Sequence, residues 1–217
     1  MARQLLIVPL AAALLLAGCG ERTPQLPTEP LDRAATCGVV AAATERKAVG
    51  AKGDLPAESQ GRILQYAMLY ASDGKALDLD KVNRVSARMP ALFEQTIKGK
   101  WETLGPACAQ AFPETQVKHP VLPSRPFDSM LQCYALADFL RKVLTEQGGG
   151  YGTAANAYGA LKDRLDTKIA PLRRAAGLRN GPELRQKQLE ELATVAKLGQ
   201  PPAVIAACEA KYPATGK

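Results

Sequence analysis

Apolar residues return every three or four positions along most of the chain, and no stretch alternates long enough to specify a strand. The pattern predicts an all-α protein. One helix should begin near Pro56 with Ile63, Leu64, Ala67, Met68 and Ala71 on one face, and Asp73-Gly74 marks the turn that follows. Asp78 is placed to cap a helix carrying Leu79, Val82, Val85 and Met89, which Pro90 should kink or end. Phe93 and Ile97 carry the spacing on toward Trp101, Leu104 and Cys108. Later, Leu131, Leu136, Leu140 and Leu144 outline a helix that stops at the triple glycine, Gly148 to Gly150. Ala157, Leu161, Leu165 and Ile169 outline the next, with Lys162 and Asp166 four apart on its exposed side. Pro182 and Pro201 each stand where the first turn of another helix would begin. Ala and Leu abound and aromatics make up only 5%, so a helical bundle is the economical fold.

The pattern also repeats. Cys108-Ala-Gln-Ala-Phe112-Pro113-Glu-Thr115 and Cys208-Glu-Ala-Lys-Tyr212-Pro213-Ala-Thr215 share Cys, three residues, an aromatic, Pro, any residue and Thr. Another cysteine opens each segment, Cys37 in one and Cys133 in the other, at nearly equal distances. A basic pair and then glycines follow each opening cysteine: Arg46-Lys47 with Gly50 and Gly53, then Arg141-Lys142 with Gly148 to Gly150. Two tandem helical units are expected, at residues 33–113 and 129–214. Four cysteines allow three pairings, and spacing alone does not choose among them. The repeat does: Cys37 with Cys108 and Cys133 with Cys208, each bridge stapling the first helix of a unit to its last. Residues 114–128, rich in Pro, form a linker or a long surface strap between the units.

The beginning of the chain has a different logic. Arg3 precedes an apolar run from Leu5 to Leu16, too short to span a bilayer, which ends in small residues as a secretory signal does. The tetrapeptide Leu16-Ala17-Gly18-Cys19 resembles the lipobox of bacterial lipoproteins. That resemblance, confined to the leader, implies removal of residues 1–18, diacylation of the Cys19 thiol and anchoring to a membrane through the acyl chains. Gly20 stands where an Asp would mark inner-membrane retention, so the resemblance implies the periplasmic side of the outer membrane. Two or more acyl chains give stable anchoring where one does not. The segment 19–32 holds Pro24, Pro27 and Pro30. Extended at about 3.1 Å per residue, it should hold the fold about 40 Å from the bilayer. An oxidising compartment also fits the even number of cysteines left after the anchor.

Charge adds a candidate partner. The chain has 28 Lys and Arg against 21 Asp and Glu. Removing Arg3 with the leader leaves a surplus of six, nearly all of it after Phe112. In an exported protein such a surplus argues against nucleic acid and toward anionic envelope components such as lipid phosphates or acidic glycans. Lys162, Arg164, Lys168, Arg173, Arg174, Arg179, Arg185 and Lys187 are the candidate anion-binding residues. Ordinary solvated helix faces account for the same residues.

No catalytic constellation emerges. His119, the only histidine, lies between Lys118 and Pro120 in the linker, without a nucleophile or an orienting partner nearby in sequence. The cysteines are too isolated for a zinc site and include no Cys-x-x-Cys. Gly150-Tyr151-Gly152-Thr153-Ala154-Ala155 fits a dinucleotide fingerprint only formally, because a helix rather than a strand precedes it. Asp78 and Asp80 lack the further oxygens of a calcium loop, and adjacent Glu190 and Glu191 should point apart on a helix. No catalytic residue, metal or cofactor is therefore expected. The sequence points to a non-enzymatic binding or scaffolding module for an envelope protein or anionic envelope component. The alternative is an inhibitor of an envelope hydrolase or a small-ligand binder. An open groove lined by apolar and Arg side chains would favour the first, and a closed apolar cavity the second.

Overall fold

The computed structural model describes residues 24–50, 52–178 and 181–214, and among these every regular element is helical. The first half holds α1 (Pro30–Val49), α2 (Ala57–Tyr70), α3 (Leu79–Ile97) and α4 (Leu104–Ala111). The second holds α5 (Pro126–Gln147), α6 (Gly152–Ala175), α7 (Pro182–Val195) and α8 (Pro201–Lys211). Each half is built around its first helix. α1 packs on α2, α3 and α4, and α5 packs on α6, α7 and α8. The expected bridges are present: Cys37–Cys108 ties α1 to α4 with Cα atoms 5.5 Å apart, and Cys133–Cys208 ties α5 to α8 at 5.7 Å.

Local chemistry explains the helix ends. Pro30, Pro126, Pro182 and Pro201 each occupy a first helical position, where the missing N–H costs nothing and φ is already set. Asp78 caps α3 by accepting from the Lys81 amide at 3.1 Å. Gly50 closes α1 in the left-handed conformation. Of the two outcomes expected at Pro90, a kink or an end, the end does not occur: α3 continues seven residues further to Ile97, with Val85 and Leu92 on either side buried in the same core. One reading needs correction. Ala157 is exposed; Ala155 and Tyr158 fill the buried face of α6 with Leu161, Leu165 and Ile169. Packing on α5 sets that face.

The two halves share one interior. A single buried cluster joins Ala35, Met68, Leu77 and Val85 from the first half to Leu131, Leu136, Leu161, Leu165 and Val204 from the second. A smaller cluster surrounds the first disulfide with Val40, Tyr66 and Leu104, where Tyr66 meets Phe112 edge to face at 5.3 Å. α2 lies directly on α8 at Gly61, where an added Cβ would sit 3.1 Å from Pro202 Cγ. The Leu77 amide donates to the Leu189 carbonyl at 2.9 Å. Tyr151, buried in a 3-10 turn after α5, donates its hydroxyl to the Leu55 carbonyl at 2.8 Å and accepts from Gln60 Nε2 at 2.7 Å. The glycine loop is thus a plug into the first half.

The Pro-rich segment between the halves behaves as a strap. After a 3-10 turn at Pro113–Gln116, its carbonyls are held by the second half: Val117 by the Gln200 amide at 3.0 Å and Pro123 by Lys211 Nζ at 2.8 Å. Leu122 packs against the main core. The N-terminal tether is also corrected. From Pro24 onward it lies on the protein, with Leu26 in the smaller cluster, so these residues do not act as a spacer. No helix among the described residues is long and apolar enough to cross a membrane.

Candidate functional site

A groove of about 470 Å³ runs between α1, α2 and α3. Ile63 and Leu64 come from α2, Met89 and Phe93 from α3, and Val39 and Ala42 from α1. Helical periodicity puts these side chains there: residues 63, 64 and 67 share a face of α2, as 86, 89, 90 and 93 share one of α3. The floor is buried and the walls remain open. Arg46, Gln60 and Gln147 are the polar side chains at its edge besides Ser86, and Arg46 reaches the Gly53 carbonyl at 2.9 Å. Pro90 has a specific effect here. Lacking an N–H, it leaves the Ser86 carbonyl without its donor four residues on, and Ser86 and Pro90 both line the groove.

A second groove, about 460 Å³, lies between α3, α5 and α7. Leu79, Phe139, Val143 and Leu189 line it with Asp138, Lys142, Glu146 and Arg185. Leu79 is 44% exposed here. Burial pushes the Asp138 carboxyl up, but hydrogen bonds from Lys142 and Arg141 outweigh it and hold the group below its ordinary value. Charges of both signs therefore surround an apolar strip.

A third cavity of about 400 Å³ includes Glu45, Arg62, Gln65, Tyr66 and Thr115. Arg62 donates to Glu45 through Nε at 2.7 Å and a terminal nitrogen at 2.6 Å, and Ser59 adds a hydroxyl at 2.7 Å. The Arg62 hydrogen bonds hold the Glu45 carboxyl below its ordinary value against the opposing effect of burial. Burial pushes the Tyr66 phenol up despite a hydrogen bond with Thr115. Gln65 is fully buried, and its Oε1 has no partner.

The basic residues singled out from sequence are scattered. Lys162 pairs with Asp163 at 2.9 Å and lies over the Tyr134 ring at 5.6 Å, rather than pairing with Asp166. Asp166 instead meets Arg173 at 3.4 Å. Arg164 is partly buried with an unpartnered Nε, while Lys168 and Arg174 are exposed. Arg185 lines the second groove, and Lys187 is engaged by Glu191 at 2.7 Å and Glu190 at 3.7 Å. α6 and α7 pack on α5 but hardly on each other, so these residues form two groups rather than one patch. Arg179 and Cys19 lie outside the described residues.

Glu190 and Glu191 both approach the Lys187 ammonium, but Glu190 lies nearer Lys75, at 3.1 Å. Glu191 is buried and also accepts from Gln132 Nε2 at 2.9 Å. The spacing of Lys187 and Glu191, one helical turn apart, is the sequence signal for that pair. His119 is exposed on the strap. Among the described residues no three His, Cys, Asp or Glu stand close enough together to hold a metal ion. Comparisons with family models, curated proteins and solved structures give no match to this chain.

Proposed function

We propose that the chain is a lipid-anchored protein on the periplasmic side of the outer membrane whose bundle binds a segment of another envelope protein without catalysing a reaction. The observation that carries this reading is the open apolar groove between α1, α2 and α3. Ile63, Leu64, Met89 and Phe93 offer the kind of surface that accepts the apolar face of a helix. Met89 adapts its shape at little cost. Arg46 at the edge suits a carboxylate on the incoming segment. An anionic envelope component is a secondary contact, to which exposed Lys168 and Arg174 on α6 contribute cations.

One observation favours the small-ligand reading instead. The cavity beside Glu45 and Arg62 also carries Tyr66, Thr115 and Gln200 among its lining residues, polar groups suited to orienting a small ligand.

A photoreactive residue in place of Phe93, introduced into the acylated protein in cells, tests the main reading. It should yield an adduct with an envelope protein that the same residue at exposed Thr145 on α5 does not yield. Equal labelling from both positions would reject the groove as a binding site. Mass measurement of the mature N-terminus tests the anchor separately.

A further inference from the structure

The residues before α1 double back along it. Leu26 precedes the helix by four positions, yet it packs with the cluster of Cys37, Val40, Leu104 and Cys108, well along the helix. Pro24 and Gln25 share a cavity of about 370 Å³ with Thr36, Gly99 and Lys100. The turn is fastened. Arg33 donates to the Pro27 carbonyl at 3.0 Å and the Thr28 carbonyl at 2.7 Å, and Glu29 caps α1 by accepting from the Asp32 amide at 2.6 Å. The described chain therefore begins at Pro24, beside the end of α3, and not at the start of α1.

Pro24 is only five positions after Cys19. A fully extended chain spans at most about 3.6 Å per residue, so the Cys19 anchor lies within about 18 Å of Pro24. On the lipid-anchor reading, from which this inference starts, the surface around Pro24 is the part of the bundle held nearest the headgroups. Trp101, the chain's one tryptophan, stands there half-buried against the first disulfide cluster, next to Lys98 and Lys100 in the turn before it. Lys47 lies 6.0 Å from its ring centroid. Glu102 is an acidic neighbour, and Lys47 engages it at 3.4 Å. A tryptophan among lysines suits the boundary of a membrane, where the ring sits at headgroup depth and ammonium groups meet phosphates.

We infer that Lys47, Lys98, Lys100 and Trp101 form a docking surface for the phosphate headgroups of the same bilayer that holds the acyl chains. The anchor then fixes the orientation of the bundle as well as its location.

The mature chain, with its Cys19 thiol coupled to a maleimide lipid, allows the test without dependence on acylation in the cell. It is placed on vesicles of phosphatidylethanolamine and phosphatidylglycerol, and Trp101 emission is read against a headgroup nitroxide lipid. Most of the emission should be lost in the tethered protein, and little in the same protein with Cys19→Ser. Combined Lys47→Glu, Lys98→Glu and Lys100→Glu substitutions should restore the emission while the protein still floats with the vesicles. Flotation without quenching in the unsubstituted tethered protein overturns the docking surface. Quenching that survives the charge reversal overturns the role of the lysines. Absence of acyl mass on the cellular protein would instead reject the anchor reading, and the two failures are therefore distinct.

Discussion

Gln65 Nε2 on α2 donates to the Gly199 carbonyl at 2.9 Å, joining the first half of the chain to the loop between α7 and α8. The same nitrogen lies 3.3 Å from the carbonyls of Ala196 and Glu114. One buried amide thus serves three segments that are far apart in sequence: the body of α2, the end of α7 and the beginning of the strap. Those carbonyls are otherwise hard to satisfy away from water.

Replacing Gln65 by Leu keeps its bulk but removes this donor. The change should cost about 1–3 kcal/mol, the usual penalty for stranding buried polar groups. Gln65→Glu should cost more, since it sets a carboxylate against carbonyl oxygens. Urea denaturation at neutral pH measures both, and a Leu variant as stable as the parent would show that the amide joins nothing of consequence.

Gly199 itself permits the contact. Its φ is +152°, and an added Cβ would lie 2.7 Å from the Val117 carbonyl oxygen. Gly199→Ala must push the strap away and strain the backbone, with an expected loss of about 2 kcal/mol or more. Gly150→Ala provides the control, because open space surrounds that position. Thermal midpoints should drop for the first and hold for the second.

The shared core predicts how the disulfides act. Each bridge closes a long loop, 71 residues in one case and 75 in the other, and loop-closure entropy assigns each about 4 kcal/mol. Met68 and Leu131 belong to one buried cluster, so removing either bridge should destabilise the whole molecule. Cys37→Ser with Cys108→Ser, or Cys133→Ser with Cys208→Ser, should each leave one calorimetric transition at lower temperature. Two separated transitions in either variant would mean that the halves unfold independently.

Acid should weaken the fold in part through Glu45. Its carboxyl is held below its ordinary value of 4.5 by Arg62, so at intermediate pH the unfolded chain takes up a proton that the folded protein does not. The contribution is complete above 4.5 and disappears as pH falls through the lower folded value. Asp138 has the same sign, from an ordinary value of 3.8. Denaturation midpoints followed downward from neutral pH should fall less steeply in Arg62→Met than in the parent. Parallel curves would exclude this pair as a source of acid sensitivity.

Much of this architecture is written in local chemistry. Pro182 and Pro201 at first helical positions and Asp78 before α3 act within a few residues, so sequence alone locates those helix starts; Pro30 and Pro126, read as tether and linker, begin α1 and α5 instead. The two matching Cys, aromatic, Pro and Thr segments determine the bridges because a repeat restricts which pairings are equivalent. Even the apolar faces of α2 and α3, and with them the groove at Met89 and Phe93, follow from helical period. Tertiary structure decided what depends on distant neighbours. That Gln65 is a joint, Tyr151 a plug, and Pro24 to Glu29 a docked segment rather than a spacer is settled by partners tens of residues away, or by a chain reversal that composition does not encode. The same applies to the basic residues after Phe112. Their number is a property of the sequence, but packing of α6 and α7 on separate parts of α5 divides them.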